Sequence, residues 1–338
     1  MPSRRGARRQ NQPRPVCRRV GRHPLALRRA AQSLRSALHT RRLELRLGGG
    51  GGYRARQLCA RHRYGRLGRV PAAFNNIVGL KPARGLLSTR GVVPACRSLD
   101  CVSVFAVSAH DAGAVLDAAA WFDLDDPLAR EASSAELRSF GPKPRFGVPP
   151  SDDLDFFGDR EAESLFAAAT ATLEQVGGTR CKSACAPFRD AGRLLYNGPW
   201  LAERLHATQA LLDDDPDATL PVTRSIIERG RHYSALDACR AQYELAQLKR
   251  EADVAFRSID VLLLPTTGTI YEKAAVAADP FRLNANLGLY TKFVNLLDLT
   301  AIAVPAGFRK NGLPFGISLI APAFAERALL DLAARLCT

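Results

Sequence analysis

The chain has 338 residues, 46% of them hydrophobic, which is enough to bury one large core or two small ones. No apolar run is long enough to cross a bilayer, and no apolar segment follows the basic N-terminus, so we expect neither a membrane span nor a secretory signal. The net charge of +15 is uneven: residues 1–68 hold 19 arginines, no lysine and one acid, whereas residues 69–338 hold 29 basic and 32 acidic groups. The body is therefore mildly acidic, at −3, and nucleic-acid binding by it is disfavoured.

Residues 1–68 form a basic segment rich in arginine and glycine, with five consecutive glycines at 48–52. Its apolar residues are few and show neither helical nor strand periodicity, so we expect the segment to be disordered. An arginine-rich arm that binds nucleic acid is the alternative. Tyr53 and Tyr64 are the only aromatic residues available there to stack on bases.

From Arg69 onward the sequence has the pattern of a folded domain. Apolar residues recurring at three and four predict helices at 108–122, 159–176, 191–212, 220–231, 234–258 and 324–336. Short buried runs predict strands at 145–148, 260–264, 301–304 and 315–320. Strands that alternate with helices indicate a layered α/β fold.

The eight cysteines show no disulfide framework. Cys96/Cys101 and Cys181/Cys185 are close pairs, but they have neither the spacing nor the nearby histidines of a zinc site. We expect reduced thiols in a cytoplasmic protein, and we assign no metal and no cofactor.

Four ungapped blocks resemble a known family. The block RVPAAFNNIVGLKP at 69–82 resembles the amidase signature family, and the blocks at 85–102, 196–204 and 223–228 resemble its allophanate hydrolase branch. The resemblance implies an α/β/α layered fold around a mixed central sheet. It makes residues 69–338 a partial amidase domain, with the N-terminal part of the family fold missing or disordered.

The same resemblance implies a Ser–cis-Ser–Lys catalytic triad. The family places its two serines in the loops G-G-S-S-[SG]-G and G-x-D-x-[AG]-G-S, neither of which occurs in residues 1–68. The serine positions are occupied by Leu43 and Leu67, and the family lysine would precede Met1. Leucine has no nucleophilic group, so this copy is expected to be inactive. Lys81 is a different family lysine, for which we predict a structural role.

Codons consistent with the sequence suggest why the loops are missing. Arg61–Gly68 can be encoded so that a reading one base later gives GTDTAGS, and Arg41–Gly52 so that it gives GGSSSGSAVAV. Residues 11–23 give another family-like stretch with the same offset. We interpret residues 1–68 as out-of-frame translation; the alternative is a genuine basic arm.

The resemblance also implies a substrate site. Tyr196 and Arg204 fall where allophanate hydrolases hold the substrate carboxylate, and we expect them about two turns apart on one helix. Without that resemblance, Arg204 would be interpreted as a solvated helix residue. Ser98 and Asp100 either line the site or hold their loop through bonds to backbone. Thr266 and Thr267 follow a strand, and a turn cap is the favoured role.

The implied reaction is hydrolysis of allophanate, which is urea-1-carboxylate, to ammonia and carbon dioxide. A biotin-dependent urea carboxylase would supply this substrate. An amidase acting on another carboxylated amide and a basic nucleic-acid-binding protein are the alternatives, and a non-functional product describes this chain best.

Overall fold

A computed structural model describes residues 59–62, 65–133 and 137–337, and these residues form one eight-stranded mixed sheet. The strand order is β1-β3-β2-β7-β8-β6-β4-β5; the pairs from β1 to β6 are antiparallel, and β6-β4-β5 are parallel. The strands are β1 (Cys59–His62), β2 (Val78–Lys81), β3 (Val102–Ala106), β4 (Arg145–Val148), β5 (Thr179–Lys182), β6 (Val261–Pro265), β7 (Leu299–Phe308) and β8 (Pro314–Pro322).

The sheet is covered on both faces, as the long apolar runs of its central strands require. Along β6, Val261 and Leu263 enter the core on one face, while Leu262 and Leu264 enter the core on the other. All four side chains are fully buried. The described part of the chain therefore has the predicted α/β/α layers.

The helices are α1 (Gly65–Phe74), α2 (Ala109–Ala119), α3 (Arg160–Gln175), α4 (Ala186–Asn197), α5 (Trp200–Asp214), α6 (Pro221–Glu228), α7 (Ala235–Ser258), α8 (Lys273–Ala278), α9 (Pro280–Leu287), α10 (Phe293–Leu296) and α11 (Glu326–Leu336). Three short 3₁₀ turns cover 151–153, 216–218 and 229–232. Helices α2, α3 and α11 contribute to the core on one face of the sheet, and α4, α7 and α10 to the core on the other. None of the helices described is both long and apolar enough for a bilayer crossing.

Local chemistry fixes where several helices begin. Ser108 accepts a hydrogen bond from the Asp111 backbone N–H and caps α2, and Asp159 does the same for α3 through Ala162. Ser234 and Asp237 form a reciprocal capping box at the start of α7. These caps give helix starts within one or two residues of those predicted.

The single helix predicted at 191–212 is wrong. The chain leaves helical geometry at Gly198, whose φ of −138° and ψ of 177° are extended, and α5 begins only after Pro199. Proline lacks the N–H that a continuous helix would need, so it begins a new helix instead. Two helices therefore meet at a corner here.

Regular structure begins at Cys59, ahead of Arg69. Strand β1 pairs with β3, and α1 starts at Gly65 and packs against β2 and β8. Leu67 lies on α1, whereas Leu43 and residues 1–58 lie outside the described residues. The predicted disorder and out-of-frame origin of 1–68 remain predictions.

Candidate substrate-binding site

Tyr196 and Arg204 meet across the corner between α4 and α5. Tyr196 is in the last turn of α4, Arg204 follows the first turn of α5, and the guanidinium carbon lies 4.7 Å from the centre of the tyrosine ring. The prediction that they share one helix is therefore wrong, although the two side chains are together. The corner is tight, because a Cβ on Gly198 would lie 2.5 Å from the Leu194 carbonyl oxygen.

A second cation approaches the same ring. The Lys292 Nζ lies 5.5 Å from the centre of the Tyr196 ring, and it donates a hydrogen bond to the Ala285 carbonyl oxygen at 3.0 Å. Tyr196, Arg204 and Lys292 are all half-buried. Two cations that share one aromatic ring in a partly dry setting form a site suited to a small anion.

This cluster is connected to helix α1. Arg69, fully buried on α1, donates from Nη2 to the Thr291 carbonyl oxygen at 2.9 Å, and Thr291 directly precedes Lys292. Arg69 follows Leu67 by two residues. The contacts therefore run from the helix that carries the family nucleophile position to the Tyr196–Arg204 pair.

The loop 95–100 is held to α5 by Glu203. The Glu203 carboxylate accepts hydrogen bonds from the Ser98 backbone N–H and the Ser98 hydroxyl, each at 2.6 Å, and from the Cys96 thiol at 3.0 Å. The Asp100 carboxylate accepts from the backbone N–H of Ala95 at 2.8 Å and of Cys96 at 3.3 Å. These hydrogen bonds of Ser98 and Asp100 hold the loop in place.

Burial dominates the electrostatics of this loop. It raises the pKa of Asp100 to about 6, against the lowering effects of two backbone N–H donors and of Arg204. Burial, followed by the hydrogen bond to Glu203, also raises the pKa of the Cys96 thiol well above its ordinary value. Cys96 is therefore a protonated donor at neutral pH.

Two further cations lie in the interior beside α1 and β2. Desolvation lowers the pKa of Arg69 to about 9 and that of Lys81 to about 8, and both side chains are fully buried. Lys81 donates from Nζ to the Leu299 carbonyl oxygen, and its own carbonyl accepts from the Thr300 hydroxyl at 2.9 Å. These contacts join β2 to β7, so Lys81 has a structural position in the sheet.

The remaining sequence candidates have local roles. The Thr266 and Ser318 hydroxyls are 2.9 Å apart, and Thr267 donates to the Thr269 carbonyl oxygen at 3.0 Å, which stabilises the turn after β6. The six cysteines whose side chains are described are free. Within the described ranges, no three His, Cys, Asp or Glu side chains cluster in a way that could hold a metal ion.

Sequence reasoning missed Lys292, Arg69 and Glu203 as neighbours of the site. Glu203 lies inside the block 196–204 and directly precedes Arg204, so the block itself was a usable signal. Lys292 and Arg69 are far from that block in sequence, and only the fold brings them near it.

Comparison with known proteins identifies the family. A family model described as Amidase matches residues 68–330. The chain belongs to the amidase signature family. The urea amidolyases of Lachancea kluyveri and Saccharomyces cerevisiae are each 40% identical to it over 271 residues, covering 79% of this chain and 15% of each relative. A subunit of the glutamyl-tRNA(Gln) amidotransferase of Synechococcus sp. is 30% identical over 293 residues, covering 78% of this chain and 60% of that protein.

Solved structures agree with this family assignment. The Kluyveromyces lactis allophanate hydrolase matches with a TM-score of 0.79 and 38% identity, over 82% of this chain and 46% of that one. The K. lactis urea amidolyase gives the same TM-score and identity, but only 17% of its chain is covered. The present amidase chain thus spans 15% of the length of the urea amidolyases and less than half of the solved hydrolase.

Proposed function

We propose that this amidase domain descends from an allophanate hydrolase and that the chain as it stands does not catalyse the reaction. The ancestral activity would be hydrolysis of the C–N bonds of allophanate, giving ammonia and carbon dioxide. The proposal is supported by 38–40% identity to proteins named urea amidolyase and allophanate hydrolase. A location in the cytoplasm and a pathway link to a biotin-dependent urea carboxylase are part of the same proposal.

The observation that carries the substrate class is the cation pair on Tyr196. Arg204 and Lys292 lie 4.7 Å and 5.5 Å from one ring centre, and the phenol offers a hydroxyl donor beside them. Allophanate has one carboxylate on a small planar urea. A guanidinium fork and an ammonium are the groups that bind such a carboxylate.

Inactivity follows from the residues at the serine positions. Leu43 and Leu67 supply neither a nucleophile nor a proton relay. In a comparable triad enzyme, removing the nucleophile costs on the order of a millionfold in turnover. The oxyanion loop of the family is absent from this sequence as well, so we expect little residual rate.

The test separates binding from catalysis. Ammonia release from allophanate should equal the buffer blank, whereas malonamate, the stable isostere with CH₂ in place of the bridging NH, should bind in a calorimeter. The Arg204→Lys variant should weaken malonamate binding roughly tenfold or more, because a two-donor fork becomes a point charge. The exposed Arg250→Lys variant is the matched control.

Two results would contradict the proposal. Ammonia release above the blank, with contaminating enzyme excluded, would show that the catalytic residues lie elsewhere. Equal binding of malonamate and the uncharged malonamide would remove the carboxylate preference and favour an amidase for other amides.

A further inference from the structure

The carboxylate of Glu203 has an unusual set of partners for a residue in the first turn of a helix. Helix N-termini favour acidic side chains, but an exposed glutamate in that position usually faces water. Here three donors from the loop 95–100 converge on it: the Ser98 N–H, the Ser98 hydroxyl and the Cys96 thiol, at 2.6, 2.6 and 3.0 Å. The thiol is buried and protonated, so it acts as a donor in this contact.

These bonds fix the helix that carries Arg204. The first turn of α5 is attached to the loop through Glu203, and Trp200, in the same turn, is buried in the core. The loop is itself held, because Asp100 accepts from the Ala95 and Cys96 N–H groups and the Ser98 carbonyl oxygen accepts from Arg84 Nη1 at 3.0 Å. Arg204 is therefore set between this anchored turn and the Tyr196 ring.

We propose that Glu203 is a positioning residue: it anchors the start of α5 to the loop 95–100 so that the Arg204 guanidinium is held over Tyr196, ready for an anionic ligand. This inference rests on the proposed function of the Tyr196–Arg204 pair. Its sign distinguishes it from simple electrostatics. A negative charge next to Arg204 opposes anion binding, so removing the charge alone would strengthen binding, whereas losing the anchor weakens it.

The experiment measures malonamate affinity by calorimetry on the full chain. Glu203→Gln removes the charge and at least one of the three accepting contacts, and Glu203→Ala removes all three. We expect malonamate affinity to fall about tenfold in Glu203→Ala, with a smaller loss in Glu203→Gln. Glu244→Gln, an exposed change on α7, is the matched control and should leave affinity unchanged.

A second measurement needs no ligand. Hydrogen exchange at the Ser98 amide and alkylation of Cys96 should both accelerate in the Glu203 variants, while exchange in β6 and β8 stays as in the parent chain. That pattern shows that the variants are folded and that the loop is released. Equal Ser98 exchange in parent and variants would overturn the inference.

The outcomes separate the two proposals. If the parent chain binds malonamate and the Glu203 variants bind it equally or more tightly, the positioning role is overturned and the proposed function stands. If the parent chain does not bind malonamate, the proposed function fails and the positioning role fails with it, whether or not the loop is released.

Discussion

Lys81 is a cation in a fully buried position, and its contacts explain why it is tolerated. Its Nζ donates to the Leu299 carbonyl oxygen, so the charged group replaces part of its lost hydration with a hydrogen bond across the β2–β7 pair. Burial still disfavours the charged form, and the pKa falls from 10.5 to about 8. The charge of Lys81 therefore opposes folding below that pH.

The sign of the resulting pH dependence is definite. Between pH 8 and 10.5 the unfolded chain keeps the Lys81 proton and the folded chain releases it, so stability rises with pH in that window. From pH 7.5 to 9, the free energy of unfolding of the parent should rise relative to Lys81→Met by roughly 1 kcal/mol. Urea unfolding of both proteins at the two pH values measures this difference, in which the other titrating groups cancel. Parallel pH profiles would contradict the lowered pKa.

At the scale of elements, the corner between α4 and α5 brings Tyr196 and Arg204 together. A Cβ on Gly198 would meet the Leu194 carbonyl oxygen at 2.5 Å, which is backbone and cannot rotate away. Gly198→Ala should therefore cost about 1–3 kcal/mol of stability and displace α5, because an overpacked site must shift its backbone. Malonamate affinity should fall with it.

The control for this change is Gly141→Ala. No atom lies within 4 Å of a Cβ built on Gly141, so that variant should unfold at the same urea concentration as the parent and bind malonamate equally. A Gly198→Ala variant that matches Gly141→Ala in both measurements would show that the corner tolerates a side chain.

The sequence predicted elements well where burial or capping is local. The run 260–264 is apolar throughout and became β6, and Ser234 with Asp237 marked the start of α7. It failed at Gly198-Pro199, because apolar positions keep a helical spacing on both sides of the break and hide it. Lys292 and Arg69 reach the site only through tertiary packing, and no local pattern reports such contacts.

At the scale of the whole molecule, the charge is concentrated in one segment. Residues 69–338 carry a net charge of −3, and residues 1–68 carry +18. Any DNA affinity of the full chain should depend steeply on salt and should disappear when residues 1–57 are removed, a cut that spares β1. A filter-binding titration at two salt concentrations tests this. Salt-dependent binding by the shortened chain would restore the nucleic-acid alternative.

The origin of the basic segment can be read directly from DNA. If residues 11–68 are out-of-frame translation, their codons read one base later should give the family loops GGSSSG and GTDTAGS. Resequencing the coding DNA across this stretch is the measurement. Stop codons or unrelated residues in the shifted frame would leave a genuine basic arm as the explanation.

The strand order has a consequence for how the chain folds during synthesis. Strands β7 and β8, made from residues 299–322, lie in the middle of the sheet, between β2 on one side and β6 on the other. Until those residues leave the ribosome, the early strands β2 and β3 and the later group β6-β4-β5 have no shared partner, and each presents an open, apolar edge. Such edges invite pairing with other chains. A ribosome that stalls before Leu299 would therefore release two half-sheets that cannot join, and the nascent amidase would depend on holding chaperones until its last strands emerge.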